Sequence, residues 1–299
     1  MDTPLSILVT GATGRQGGAV ARQLLYQGYR VLGLTRHPDS PAALALQTLG
    51  AELTLGNLED PALLEAAVRR VDAVFAMGTP YDAGIETEVR QGMNLVDAAR
   101  RAGVRHFVYS SVAGADLYTG VPHFESKRQV EGYLRRSHLP YTIVGPTFFM
   151  ENFSGPLVRE GLEAGVLSLA LSPMRGLQMV ALEDLARFVS LVFASPEEFL
   201  GERIDVASDE VTPQQSADLL SYAGGHRIHY QQLPLVLVQE ESEDKALMYQ
   251  WLEQVGYHID ILTLHHEYPE VGWHTFEEWA RVRDWSFVGS SSGSELGAY

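Results

Sequence analysis

The chain contains no cysteine, which excludes disulfides, thiolate metal sites and cysteine nucleophiles and makes a cytoplasmic protein the expectation. Lysine is almost as scarce: of 22 basic residues only Lys127 and Lys245 are lysine. No stretch approaches the roughly 20 consecutive apolar residues of a membrane helix. The opening MDTPLSILVTGATG has no basic segment ahead of an apolar one, so neither a membrane span nor a secretory leader is expected. Positive charge is in deficit, with 38 acidic residues and a net charge of −16. Such a field repels phosphate backbones and argues against direct nucleic-acid binding.

What is present suffices for a large core: 299 residues, 45% hydrophobic and 20% charged. The charge is unevenly spread. Residues 1–150 carry 14 basic and 14 acidic side chains, whereas residues 151–299 carry 8 and 24. An anionic ligand therefore belongs with the first half, and the acidic second half suits a protein partner. A lysine that persists in so arginine-rich a chain suits a position needing a compact, flexible ammonium, which draws attention to Lys127.

Residues 1–145 alternate β-branched apolar runs with segments of helical period, the pattern of βαβ units. Strands are expected near Ser6–Thr10, Arg30–Thr35, Ala51–Leu55, Ala73–Met77, His106–Ser110 and Tyr141–Val144. Helices are expected near Gly14–Gln27, Pro41–Leu49, Pro61–Arg70, Gly84–Ala102 and Phe124–Ser137. The fold class is α/β, a doubly wound Rossmann-like parallel sheet over residues 1–150. A smaller C-terminal α+β lobe follows over 151–289, with scope for the chain to interleave between the two. Helices are expected there at Leu182–Ser195 and Pro213–Tyr222, and all four Trp fall in its last part, as core. The composition of residues 290–299 predicts disorder.

The strongest local signal is Gly11-Ala12-Thr13-Gly14-Arg15-Gln16-Gly17, directly after the first strand and before an amphipathic helix. Glycines let such a turn approach a pyrophosphate, and the helix N-terminus offers that anion its N–H groups and positive dipole end. At the end of the second strand an acid would bind the ribose 2′-hydroxyl of NAD. Arg36 stands there instead, matching the 2′-phosphate of NADP(H), with Thr35 and His37 beside it.

These residues, with GNLED after the third strand, YSSVAG after the fifth, HFESK opening the next helix and FFMENF after the sixth, resemble the NmrA-like branch of the atypical short-chain dehydrogenase/reductases. The resemblance extends through VALEDLARFV and VASDEVTPQQSADLLS and weakens after about residue 225. Its nearest flavour is the NADP(H)-binding redox sensors of that family, and its enzymatic neighbours are quinone and dye reductases.

The resemblance implies that Gly11, Thr13, Gly14, Arg15, Gln16 and Gly17 hold the pyrophosphate and Arg36 the 2′-phosphate of NADP(H). Asn57 and Leu58 would flank the adenine. Gly78 and Thr79 would lie along the cofactor with Arg90 nearby, Lys127 would reach the nicotinamide ribose, and Phe149, Met150, Glu151 and Asn152 would border the nicotinamide. Relatives often carry another basic residue shortly after Arg36, where this chain has Pro38-Asp39-Ser40.

Ordinary short-chain dehydrogenases place Tyr-x-x-x-Lys on one helical face, the cation lowering the Tyr pKa. Here the spacing reads His123 to Lys127. His123 either transfers a proton, which imidazole can do near neutral pH, or packs at the helix start while Lys127 binds ribose. Ser110 and Ser111 occupy the strand end where such folds orient substrate. The catalytic candidates are thus Lys127 and His123. His258, His265, His266, Glu267 and His274 lack a metal-binding spacing, so no metal is expected.

Two functions are compatible with this pattern: a redox sensor that reads NADPH against NADP⁺ and meets a partner protein, or an NADPH-dependent reductase of a quinone, aldehyde or similar apolar acceptor beside Phe148, Phe149 and Phe153. Homodimerisation stays open.

Overall fold

The computed structural model describes residues 4–81 and 83–288. The segment 290–299, expected to be disordered, lies outside the described residues. Strands follow in the order β1 (Ser6–Val9), β2 (Arg30–Thr35), β3 (Glu52–Leu55), β4 (Ala73–Ala76), β5 (His106–Ser110), β6 (Tyr141–Pro146), β7 (Phe148–Phe149), β8 (Val166–Leu169), β9 (Leu177–Val180), β10 (Arg203–Val206), β11 (Asp209–Val211) and β12 (His229–Gln232). The α-helices are α1 (Arg15–Tyr26), α2 (Pro41–Thr48), α3 (Pro61–Val68), α4 (Ile85–Ala102), α5 (Pro122–Arg136), α6 (Pro156–Glu163), α7 (Leu182–Ala194), α8 (Pro196–Phe199), α9 (Pro213–Gly224), α10 (Leu235–Glu241), α11 (Glu243–Gln254), α12 (Ile261–Glu267) and α13 (Phe276–Arg281).

The chain forms two compact units, residues 1–146 with 182–206 and residues 147–181 with 207 onward. In the first, seven strands make one parallel sheet in the order β10-β6-β5-β4-β1-β2-β3. The expected α/β doubly wound class is what the chain adopts. Its central strands are buried because helices cover both faces: β1, β4 and β5 are buried throughout, including the polar Ser6, His106 and Ser110. Leu8, Leu32, Val74, Phe107, Val130 and Ile143 belong to one core cluster on this sheet.

Local chemistry sets the boundaries. Ser40 and Asp60 accept N–H groups of the first turns of α2 and α3, and Pro41 and Pro61 start those helices with φ already suitable. Gly103 closes α4 in the left-handed conformation, φ 69°. Helix α5 begins at Pro122, two residues before the expected start, which puts His123 inside its first turn.

Residues 182–206, which fall within the span 151–289 read as the second lobe with scope for interleaving, group with the first unit. The reason is packing: α7 lies against α1, and β10 extends the sheet beside β6, pairing Ile204 with Val144. Neither partner is visible in the local sequence.

The second unit contains a three-stranded sheet, β11-β9-β7, and the parallel pair β12-β8. Its aromatic core links Phe153 to Phe276, Phe276 to Trp279 and Trp279 to Trp285, with centroids 5.0, 5.4 and 5.9 Å apart. Trp251, Trp279 and Trp285 are buried as expected, and Trp273 is half-buried, stacked on His265. Among the described residues no helix is long and apolar enough to cross a membrane.

Candidate nucleotide-binding site

The order of the sheet creates a crevice. After β1 the chain winds outward through β2 to β3, then returns to place β4 on the other side of β1, so the loops after β1 and β4 diverge at the carboxyl ends of their strands. Thr10 ties these two ends together: its hydroxyl donates to the carbonyl of Met77 and accepts the Met77 N–H, both at 2.8 Å. Gly11 follows with φ 62°. The turn closes so tightly that a Cβ on Gly17 would lie 2.4 Å from the Gly11 carbonyl oxygen and 2.6 Å from that of Thr10. Only glycine fits there without moving the backbone.

Helix α1 begins at Arg15 with Gly14 as its cap residue, no side-chain cap and no acid in its first turn. Its positive end is thus left for an anion at the crevice. Thr13 completes the turn, and the Gln16 amide reaches across to the Ser110 hydroxyl at the end of β5. The six glycine-loop residues named from sequence are therefore held in one turn and the helix start behind it.

Arg36 lies exposed just after β2, where the Thr35 hydroxyl accepts the His37 N–H at 3.1 Å. Asn57, after β3, closes a turn on itself by accepting the Glu59 N–H at 3.0 Å, while Leu58 packs on the sheet core. Asn94 of α4 donates to the Leu58 carbonyl at 3.1 Å, fixing that loop from behind. Thr79 accepts the Tyr81 N–H. Arg90 is ion-paired with Glu59 and donates to Thr87, so its guanidinium braces the loop after β3.

Lys127 is buried on α5. Its ammonium donates to the Gly78 carbonyl at 2.8 Å, lies 2.8 Å from Glu88 Oε1 and sits 5.6 Å from the Tyr109 ring centroid. Burial, then the charges of Glu88 and Glu131, hold the Tyr109 phenol well above its ordinary pKa, so it stays protonated. His123 packs edge-on to Phe124 at 4.7 Å and faces the Tyr81 ring at 6.2 Å.

Ser111 has a partner of its own: its hydroxyl donates to Glu131 Oε1 at 2.5 Å. Glu131 in turn faces Arg203, whose Nε lies 3.3 Å from both carboxylate oxygens and whose Nη2 donates to the Val112 carbonyl at 3.0 Å. Arg203 also pairs with Asp205, which accepts the Gly114 N–H at 3.1 Å. Burial pushes the Asp205 carboxyl up to about 6, with Arg203 opposing the rise. This network pins the loop after β5.

Phe149, Met150, Glu151 and Asn152 lie in the second unit, on β7 and the 3₁₀ turn that follows it. Glu151 is engaged within that unit, accepting the Trp279 indole N–H at 3.0 Å with Arg283 at 3.4 Å.

The NmrA-like family pattern matches residues 4–280, nearly all of the described chain. The chain belongs to the NmrA-like family. An NmrA-like family domain-containing protein of Dictyostelium discoideum is 26% identical over 266 residues, covering 84% of this chain and 88% of its own. An NmrA-like family domain-containing oxidoreductase of Aspergillus hancockii is 38% identical over 165 residues, covering 52% of this chain and 48% of its own. Among solved structures, NmrA, a negative transcriptional regulator crystallised with NADP, superposes with a TM-score of 0.77 at 25% identity, over 94% of this chain and 95% of its own.

Within this NmrA-like chain, sequence reasoning did not reach Glu88, Glu131, the Arg203–Asp205 pair or the Thr10–Met77 latch. The two glutamates left a readable signal. Each falls on the buried stripe of its helix, Glu88 with Leu95 and Ala99, Glu131 with Phe124, Val130 and Leu134, where an apolar residue is the rule. Arg203 could not be found, because β10 reaches the sheet only after α7 has carried the chain back.

Proposed function

We propose that this protein binds NADP(H) in the crevice between the loops after β1 and β4 and serves as a redox sensor, its conformation set by NADPH or NADP⁺. The observation that carries the reading is the state of the proton donors. Position 123 holds His in place of Tyr, the Ser111 hydroxyl is spent on Glu131, and Lys127 is engaged by Glu88 and the Gly78 carbonyl. A site so arranged retains what a dinucleotide needs and gives up what a short-chain dehydrogenase uses to move a proton. The uncapped, acid-free start of α1 and the side-chain-free Gly17 suit a pyrophosphate, and Arg36 suits a 2′-phosphate.

In this reading the acidic second half meets a basic partner protein, and cofactor state biases that encounter. The bias requires unequal affinity of NADPH and NADP⁺ for two conformations, since a ligand that binds both equally shifts nothing. Calorimetric titration of each cofactor, with hydrogen exchange on each complex, tests it. Identical exchange patterns in the two complexes would refute a sensor.

Lys127 beside Gly78 favours a second reading, an NADPH-dependent reductase, and the Aspergillus hancockii relative bears the name oxidoreductase. NADPH supplies a hydride when bound. Lys127 then holds the ribose and steadies negative charge on the acceptor oxygen, and His123 delivers the proton. Following NADPH absorbance against quinones and aldehydes decides between the two: turnover that collapses in Lys127→Ala makes this a reductase, and tight binding without turnover leaves the sensor.

A further inference from the structure

Helix α4 carries an acid where its packing asks for an apolar side chain. Glu88 retains only 1% side-chain exposure. Removing a carboxylate from water is unfavourable unless it is paired. Here the pairing comes from α5: Lys127 Nζ lies 2.8 Å from Oε1, and Ser126 donates to Oε2. The two helices approach closely enough because residue 92 is glycine, a Cβ there falling 2.7 Å from Val130.

Lys127 Nζ thus meets Glu88 Oε1 and the Gly78 carbonyl, each at 2.8 Å. An ammonium has three N–H donors, so these two contacts leave one for a ligand. We propose that Glu88 is a positioning residue for Lys127, holding the buried ammonium against the Gly78 carbonyl so that a further N–H reaches a ribose hydroxyl of the dinucleotide. This assignment rests on the NADP(H)-binding reading above.

The test compares wild type, Glu88→Gln, Lys127→Met and the double variant, which replaces the pair by neutral groups of similar shape and keeps the fold within reach if a single variant is unstable. NADPH affinity is read by fluorescence titration. Glu88→Gln is expected to weaken binding about tenfold, roughly the equivalent of one lost charge-assisted hydrogen bond, and to add nothing in the Lys127→Met background.

Because the chain has only two lysines, lysine labelled with carbon-13 at Cε gives two signals. Glu88→Gln should move that of Lys127 and leave that of Lys245. An unmoved Lys127 signal, or an equal loss of affinity with and without Lys127, would overturn the proposal. Wild-type protein that fails to bind NADPH would instead refute the cofactor reading and the ribose role with it, an outcome distinct from those two.

Discussion

Replacing His106 with Gln should remove a loss of stability that this protein suffers on acidification. His106 is buried at the start of β5, bonded through Nε2 to the Thr142 hydroxyl at 2.8 Å and set edge-on against Phe193 at 5.5 Å, while its Nδ1 has no hydrogen-bond partner. Burial lowers its pKa from 6.5 to about 4. The native state therefore refuses a proton that the unfolded chain accepts, and stability is lost as pH falls from about 6.5 to about 4. At about 1.4 kcal/mol per pH unit the loss is about 3 kcal/mol. Asp205 acts oppositely. Its pKa is raised from 3.8 to about 6, so the native state keeps a proton that the unfolded chain releases, and stability is lost as pH rises across that interval. Its side chain is 24% exposed, and solvent screening reduces the effect to about 2 kcal/mol. In the wild type the two nearly cancel, leaving a fall of about 1 kcal/mol on acidification from these groups. Urea unfolding followed by tryptophan fluorescence at several pH values between about 4 and 7 separates them. Relative to wild type, His106→Gln should gain about 2 to 3 kcal/mol of stability between pH 6.5 and 4, and Asp205→Asn should lose about 2 kcal/mol between pH 6 and 4. Parallel pH profiles for all three proteins would refute the reasoning.

Other substitutions probe the crevice. Gly17→Ala drives a Cβ into the backbone carbonyls of Gly11 and Thr10, so it should cost about 2–4 kcal/mol and abolish NADPH binding by calorimetry, whereas Gly14→Ala, with its nearest contact at 3.3 Å, should keep the fold. Arg36→Ala should reduce NADPH affinity by about tenfold to a hundredfold and leave NADH affinity nearly unchanged in the same titration. Thr10→Val breaks both bonds to Met77 and should lower the unfolding free energy by about 2–3 kcal/mol in urea. Trp279→Phe removes the indole donor to Glu151 and should destabilise the protein by about 1–3 kcal/mol, read from the thermal midpoint.

The alternation of short apolar runs with helical periods was enough to place β1 to β6 and α1 to α5, because each of these elements announces itself locally: Pro41 and Pro61 start helices, Gly103 stops one, and parallel strands covered on both faces read as short, mainly apolar runs. The glycine turn was legible for the same reason, since its residue types answer to backbone geometry within seven positions. The start of α5 shifted because a proline at the first helical position weighs more than the apolar period that follows it. What depended on distant partners was not legible. Residues 182–206 carry no local mark of joining the first unit, and only the packing of α7 on α1 and the pairing of β10 with β6 bring them there. Lys127 could be singled out by its rarity and its spacing from His123, but the sequence is silent on what holds it. That Glu88, 39 positions earlier, meets it 2.8 Å away follows from two helices brought close at Gly92 and Val130. A sequence specifies turns and periods through neighbours along the chain, whereas a buried charge acquires its partner only when the chain has folded around both.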